Sequence, residues 1–233
     1  ERNRVKAVRL RGALSQGICY PVEDGWTEGQ DVAVILGIVK WEPPIPTHMA
    51  GELANVGDEY TVRYDVENAK WFPSAIPDGE MVVMTEKIHG TWTQIGVLPE
   101  GTIAHPEVGD IVVASKGHAE KGLAFKDNAA NANNLYLRVA RHLGVRTRVH
   151  SAQAVGFLPE GPVYVLGETF GVQDLKYGAS AARDETLGFR VFDIYVGVPQ
   201  HGQGRYLDDS ALDAACAALG LDRVPVLYRG PFS

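Results

Sequence analysis

The sequence is poor in several features that mark whole classes of protein. It has two cysteines in 233 residues, Cys19 and Cys216, and neither belongs to a Cys-x-x-Cys pair. A disulfide framework or a zinc site is therefore not expected. The same scarcity of cysteine favours a cytoplasmic location. No apolar run approaches the roughly 20 residues that cross a bilayer, so no membrane is expected. Neither a P-loop nor a Gly-x-Gly-x-x-Gly dinucleotide fingerprint is present.

Basic residues are in the minority, with 22 Lys and Arg against 29 Asp and Glu. The net charge of −7 argues against nucleic-acid binding over the whole surface, but not against a local basic groove. The cations are concentrated in residues 2–12 and 138–150. Taken alone, either segment is explained by a solvated face of a helix or strand.

Adjacent prolines indicate where the chain changes domain. The stretch "WEPPIP" (41–46) follows an apolar run and predicts a stiff, extended connector. We therefore divide the chain into residues 1–45 and 46–233. Beyond the connector, apolar and alternating runs predict strands at 80–84, 91–98, 110–115, 162–168 and 188–197.

Two helices interrupt these strands. Asp127 or Asn128 is the expected N-cap of the first; Asp209 or Ser210 is the expected N-cap of the second, which Gly220 ends. A strand-rich chain with inserted helices predicts an α+β fold with mostly antiparallel sheets. The residues expected to face the core are Leu135, Val139 and Leu143 in the first helix and Leu212, Cys216 and Leu219 in the second.

The stretch "TEKIHGTW" (85–92) places polar groups directly after an apolar strand. A lone lysine in that position is ordinarily an edge residue whose ammonium group lies in water. Lys87, however, has Glu86 and His89 beside it as hydrogen-bonding groups. Gly90 also lets the backbone pass close to a bound molecule. The stretch is therefore a candidate binding site.

The composite "EKIHGT" resembles the first motif of the covalent nucleotidyltransferases, the family of DNA and RNA ligases and mRNA capping enzymes. Its His-Gly form is most similar to the RNA ligase branch. The resemblance implies that Lys87 attacks the α-phosphate of ATP and carries AMP covalently, assisted by Mg²⁺ or Mn²⁺. It also implies partial burial of Lys87. The nucleotide contacts that it implies here come from Glu86, Ile88, His89 and Gly90.

Three later stretches resemble further motifs of the family, in its order. "DIVVASKGHAEKG" (110–122) implies a phosphate contact from Lys116 supported by Ser115, although the family usually has arginine there. "VYVLGETFG" (163–171) implies that Glu168 contacts the ribose hydroxyls of AMP or water on the metal. "FRVFDIYVG" (189–197) implies that Phe192 stacks on adenine while Asp193 supports the site. Taken alone, Glu168 is explained by a salt-bridged surface carboxylate and Phe192 by a core aromatic.

The N-terminal part resembles a bacterial RNA ligase group typified by the enzyme of Deinococcus. The stretch from residues 5–22 through 36–46 is similar to the end of its OB-like domain, and 63–73 to its approach to the lysine. The expected fold is a nucleotidyltransferase (adenylation) core of antiparallel sheets with inserted helices, preceded by part of an OB-like β-barrel. The family's Glu-Gly-x-Val and Lys-x-Lys motifs do not follow Asp193. We therefore expect a core truncated at its C-terminus, with little or no ligase activity as this chain alone.

The function that these resemblances imply is ATP-dependent RNA ligation, which joins a 3′-hydroxyl end to a 5′-phosphate end. RNA or RNA/DNA strand ends are the expected partners, with residues 2–12 and 138–150 on the phosphate backbone; no protein partner is evident. One alternative is a DNA ligase or capping nucleotidyltransferase, against which the His of "KIHG" argues. Another is a non-catalytic module that binds nucleic-acid ends.

Overall fold

Two units of very different size make up the chain. A computed structural model describes residues 8–11, 13–15, 19–38, 45–72, 74–171, 187–200 and 204–232. The units are Glu1–Pro44 and Ile45–Ser233. In the first, strand β1 (Val8–Leu10) pairs antiparallel with β2 (Ala13–Ser15).

The second unit is built around one five-stranded antiparallel sheet. Its strands are β3 (Leu53–Asn55), β4 (Met81–Thr85), β5 (Thr91–Val97), β6 (Ile111–Ser115), β7 (Leu123–Phe125), β8 (Val163–Phe170), β9 (Gly188–Val196), β10 (Arg205–Tyr206) and β11 (Val226–Pro231). The central sheet has the order β10-β9-β8-β5-β6, while β4 pairs with β11 and β3 with β7. All of these pairings are antiparallel. The predicted α+β class is confirmed, and the predicted strands appear within about two residues of their expected bounds.

The helices are α1 (Lys116–Ala119), α2 (Leu135–Leu143), α3 (Val145–Ala154) and α4 (Asp209–Leu219). The side chain of Asn134 caps α2 by accepting hydrogen bonds from the N–H groups of Tyr136 and Leu137. The predicted cap, Asp127 or Asn128, was wrong because Asn128 instead caps a separate 3-10 turn (Ala129–Asn131). Gly144, with φ 57°, ends α2 and precedes α3, which the sequence reading did not predict.

Helix α4 begins one or two residues earlier than the two predicted caps imply. The Asp208 carboxylate caps it by accepting a hydrogen bond from the Ala211 N–H. The expected caps, Asp209 and Ser210, already lie inside the helix. Gly220 ends the helix with φ 59°, as predicted. The predicted core residues Leu212, Cys216 and Leu219 are buried.

The two faces of the central sheet have different environments. Ile95 and Val97 of β5 belong to the core cluster that includes residues of α2, α3 and α4. On β8, Tyr164 and Leu166 belong to a second cluster, against which Trp92 and Phe192 pack. Because alternate residues of a strand share a face, Glu168 follows Tyr164 and Leu166 onto this second face. Within the described residues, no helix is long and apolar enough to cross a membrane.

Candidate active site

The segment that carries Lys87 leaves an exposed two-stranded sheet and passes close to the central one. Strand β4 pairs with β11, and the N–H of Glu86 then donates a hydrogen bond to the carbonyl of Pro225 at 2.9 Å. Ile88 is buried, whereas the side chains of Lys87 and His89 are exposed. The partial burial expected for Lys87 was wrong, because most residues of β4 and β11 face solvent.

Gly90 allows this segment to lie against β8. A Cβ at Gly90 would overlap the carbonyl oxygen of Thr169 and would lie 2.9 Å from its carbonyl carbon and 3.1 Å from the Cβ of Phe170. The N–H of Gly90 also acts on the Glu168 carboxylate and lowers the pKa of that group. The first motif and the glutamate motif are therefore in direct contact, and this contact needs a residue without a side chain.

Glu168 is the polar centre of the arrangement. Burial raises the pKa of its carboxyl above the ordinary value, while the charge of Lys87, the Gly90 N–H and His89 act in the opposite direction. The ammonium of Lys87 is therefore near enough to Glu168 to act on it electrostatically. A half-buried carboxylate beside an exposed lysine is an arrangement that can hold a polar ligand between them.

Strand register brings the second motif to the same end of the sheet. Thr93 of β5 pairs with both Ser115 of β6 and Gly167 of β8. Lys116 therefore follows a strand whose end lies level with the Glu168 region. Its ammonium lies 3.9 Å from the Glu120 carboxylate, with both side chains about half exposed. The Ser115 hydroxyl is hydrogen-bonded to Nδ1 of His118 at 2.9 Å.

A β-bulge shapes the aromatic-Asp motif. The register of β8 against β9 shifts between Leu166, which pairs with Asp193, and Gly167, which pairs with Val191. Phe192 is the extra residue of the bulge, and both it and Asp193 contact Tyr64. The bulge therefore turns two consecutive side chains toward the same neighbour, where a regular strand would separate them.

Two residues of this region were not singled out from the sequence. Tyr64 lies in the stretch "RYDVENAKWFP", whose resemblance was noted without a role for the tyrosine. Trp92 pairs directly with Glu168 across β5 and β8, and strand alternation after Gly90 was a signal that could have found it. The indole N–H of Trp92 is buried and has no hydrogen-bond partner in the part of the chain that the structure describes.

Of the two basic segments, the structure describes chiefly residues 138–150. Most of residues 2–12 lie outside the described part of the chain. In the segment 138–150, Arg141 pairs with Asp127 and Arg146 with Asp110. Arg148 donates hydrogen bonds of 2.7 Å to the carbonyl oxygens of Leu219 and Gly220. These three arginines have partners within the fold, and the phosphate contact expected from this segment stays a prediction.

The arrangement of the acidic side chains determines how a metal ion could bind. Among the described residues, no group of three or more His, Cys, Asp or Glu side chains could hold a metal ion. A Mg²⁺ ion that binds one carboxylate, water and the phosphates of a nucleotide does not require such a group. Glu168, half-buried and near Lys87, fits that mode of binding.

Comparison with known proteins supports a family assignment. A family model described as RNA ligase matches residues 80–233, well over half of the chain. A lysine-to-alanine mutant of an RNA ligase from Naegleria gruberi, solved with ATP and Mn, is 23% identical, with a TM-score of 0.51. Another lysine-to-alanine mutant of a Naegleria RNA ligase, in its apo form, is 23% identical, with a TM-score of 0.50. An archaeal ATP-dependent RNA ligase is 18% identical over 73% of this chain and 36% of its own, with a TM-score of 0.43.

The matches cover a larger share of this chain than of the Naegleria ligase chains. The two Naegleria matches cover 97% and 99% of this chain but 61% and 63% of those chains. This chain therefore spans less than two thirds of their length. At this identity the likeness shows the fold: a mixed α+β arrangement of antiparallel sheets like that of RNA ligases. No curated protein matches the chain.

Proposed function

The chain belongs to the RNA ligase family, and from that premise we propose that it is the adenylation part of an ATP-dependent RNA ligase. In this proposal Lys87 is the nucleophile. The product of the whole reaction is a 3′-5′ phosphodiester bond between a 3′-hydroxyl end and a 5′-phosphate end, of RNA or of an RNA/DNA duplex.

The first step is the transfer of AMP to the protein. The Lys87 amine forms a bond to the α-phosphorus of ATP, the bond to pyrophosphate breaks, and the amine loses its proton. An ordinary lysine amine is unprotonated only about once in a few thousand molecules at pH 7, so the bound state has to favour the neutral form. A divalent cation, Mg²⁺ or Mn²⁺, supplies charge neutralisation at the phosphates when it is bound.

The contact between the lysine segment and the glutamate strand carries this proposal. Gly90 fits against Thr169, and both its N–H and the charge of Lys87 act on the Glu168 carboxylate. In our assignment Glu168 binds the ribose hydroxyls or a metal-bound water, and Phe192 stacks on the adenine ring. Contacts to the nucleotide are also assigned to Glu86, Ile88, His89, Gly90 and Lys116, with Ser115 and Asp193 supporting them.

The later steps complete the proposed reaction. The adenylate passes from Lys87 to a 5′-phosphate, and the 3′-hydroxyl then attacks that phosphate and releases AMP. We assign residues 46–233 to the adenylation domain and residues 1–45 to the end of an OB-like domain. The two paired strands described in the first unit do not by themselves form a barrel, so the OB assignment rests on the sequence resemblance.

The direct test is Lys87→Ala in the natural-length protein, incubated with ATP labelled at the α-phosphate and Mg²⁺. We expect the unaltered protein to acquire covalent label and the variant to acquire none. Lys70→Ala, which removes another exposed lysine, is the matched control and should label normally. Retention of label by Lys87→Ala would remove the mechanism.

Nucleotide and strand competition separate this proposal from the related activities. An RNA ligase should form its adduct with ATP and not with GTP, and should seal ends that carry a 3′-ribonucleotide. Adduct formation with GTP alone would indicate a capping-type enzyme. Sealing of all-DNA nicks with no preference for a ribonucleotide would indicate a DNA ligase. End binding without any pyrophosphate release would indicate a non-catalytic module.

A further inference from the structure

Tyr64 connects the two residues of the aromatic-Asp motif. Its hydroxyl donates a hydrogen bond of 2.6 Å to the Asp193 carboxylate, across 129 positions of sequence. Its ring centroid lies 5.1 Å from that of Phe192 and 6.3 Å from that of Trp92. One side chain therefore holds the carboxylate and contacts the ring to which we assign the adenine.

Among the described residues, two groups offset the burial of the Asp193 carboxylate. Burial raises the pKa of its carboxyl, and the Tyr64 hydrogen bond and the charge of Arg223 act in the opposite direction. The ring of Tyr206 meets Tyr64 edge-on at 5.9 Å, and its hydroxyl is directed to the carbonyl of Arg63 at 3.4 Å. Removing the Tyr64 hydroxyl would leave the half-buried carboxylate without this hydrogen-bond donor. An orientation of Asp193 toward solvent would then be favoured.

The backbone couples the orientation of the Phe192 ring to the hydrogen bond between Tyr64 and Asp193. Phe192 is the extra residue in the bulge between β8 and β9, so it lacks the regular cross-strand partner that fixes a side chain in a sheet. Asp193 is the next residue along the chain. A rotation of the backbone that releases Asp193 from Tyr64 would also rotate the Phe192 ring.

On the premise of the proposed function, we propose that Tyr64 is a positioning residue for nucleotide binding. By holding Asp193 it fixes the bulge of β9, and it thereby presents the ring of Phe192 to the purine base. A base stacked on an aromatic ring gains about 5- to 150-fold in affinity. Misdirecting that ring should therefore cost part of this factor.

The test compares Tyr64→Phe with Tyr206→Phe in the natural-length protein. Both variants keep their rings, but only the first loses the hydrogen bond to Asp193. We expect Tyr64→Phe to raise KM for ATP in AMP transfer about tenfold while kcat at saturating ATP stays within about twofold. Tyr206→Phe should change neither. A fall in kcat with KM unchanged, or equal effects from both variants, would overturn the proposal.

A second arm measures ATP affinity alone, in a Lys87→Ala background that cannot form the adduct. Tyr64→Phe should weaken ATP binding about tenfold with Asp193 intact and should have no further effect once Asp193 is replaced by Ala. Additive effects of the two substitutions would contradict the coupling. This arm also separates the two claims: if the unaltered protein never forms the adduct but the coupling is present, the proposed function fails and the positioning role stands.

Discussion

Gly90→Ala tests the contact on which the proposed site depends. The added methyl group would overlap the Thr169 carbonyl oxygen and lie 2.9 Å from the carbonyl carbon, and both of these neighbours are backbone atoms of a central strand. They cannot rotate away as a side chain can, so the lysine segment must move instead. Overpacking of this kind costs about 1–3 kcal/mol. For a unit of this size that corresponds to a fall in melting temperature of about 2–12 °C.

The rate of AMP transfer to Lys87 should also fall, because the substitution displaces the reacting group. A shift of about 1 Å in a reacting group costs on the order of a hundredfold in rate, and the displaced segment carries both Lys87 and the Gly90 N–H that acts on Glu168. We therefore expect the folded variant to transfer AMP to itself at least about a hundredfold more slowly. The assays are a thermal melt of the 233-residue chain and single-turnover labelling of the natural-length protein.

Gly51→Ala is the matched control for this substitution. A Cβ at Gly51 has nothing within 4 Å and its φ is not positive, so the variant should melt and label like the unaltered protein. If Gly90→Ala matched this control in both assays, the close approach of the lysine segment to β8 would be refuted.

Two further substitutions test the surroundings of the carboxylate. Burial raises the pKa of Glu168 above 4.5, so its charge costs the folded state stability as pH rises through the window above that value. Glu168→Gln should therefore abolish AMP transfer yet melt higher than the unaltered protein near pH 7, an advantage that disappears in acid; a lower melting temperature near pH 7 would contradict this reasoning. Trp92→Phe removes a buried N–H that has no partner in the described part of the chain and keeps a ring to pack against Tyr64. It should melt within about 4 °C of the unaltered protein, and a drop beyond about 8 °C would show that the N–H is satisfied.

The elements of the core could be predicted because their signals are local. Alternating apolar residues identified β5, β6, β8 and β9, since each strand of this sheet is long enough to show its period. The cap of α2 was misplaced because several residues able to cap precede it, and only the folded path shows that Asn134 adjoins the first turn while Asn128 serves a different one. Helix α3 was not predicted because residues 138–150 were treated as one basic segment. The left-handed Gly144 divides that segment between two helices.

The candidate site was predicted in its parts but not in its connections. Short motifs proposed Lys87, Glu168 and Phe192 as site residues, and strand register places Glu168 level with the end of the strand that precedes Lys116. Tyr64 could not be found in this way because its hydrogen bond to Asp193 spans 129 positions, which no periodicity encodes. The exposure of Lys87 was also misjudged, since burial depends on what covers β4 and not on the apolar residues within it.

In the proposed mechanism one lysine carries the nucleotide. It is tested most directly by incubating the natural-length protein with ATP and Mg²⁺, digesting it, and locating AMP by mass spectrometry of the peptides. We expect a single adduct, on the peptide that contains "TEKIHGTW", at Lys87. An adduct on a different lysine, or none after pyrophosphate has been removed to drive the reaction, would contradict it.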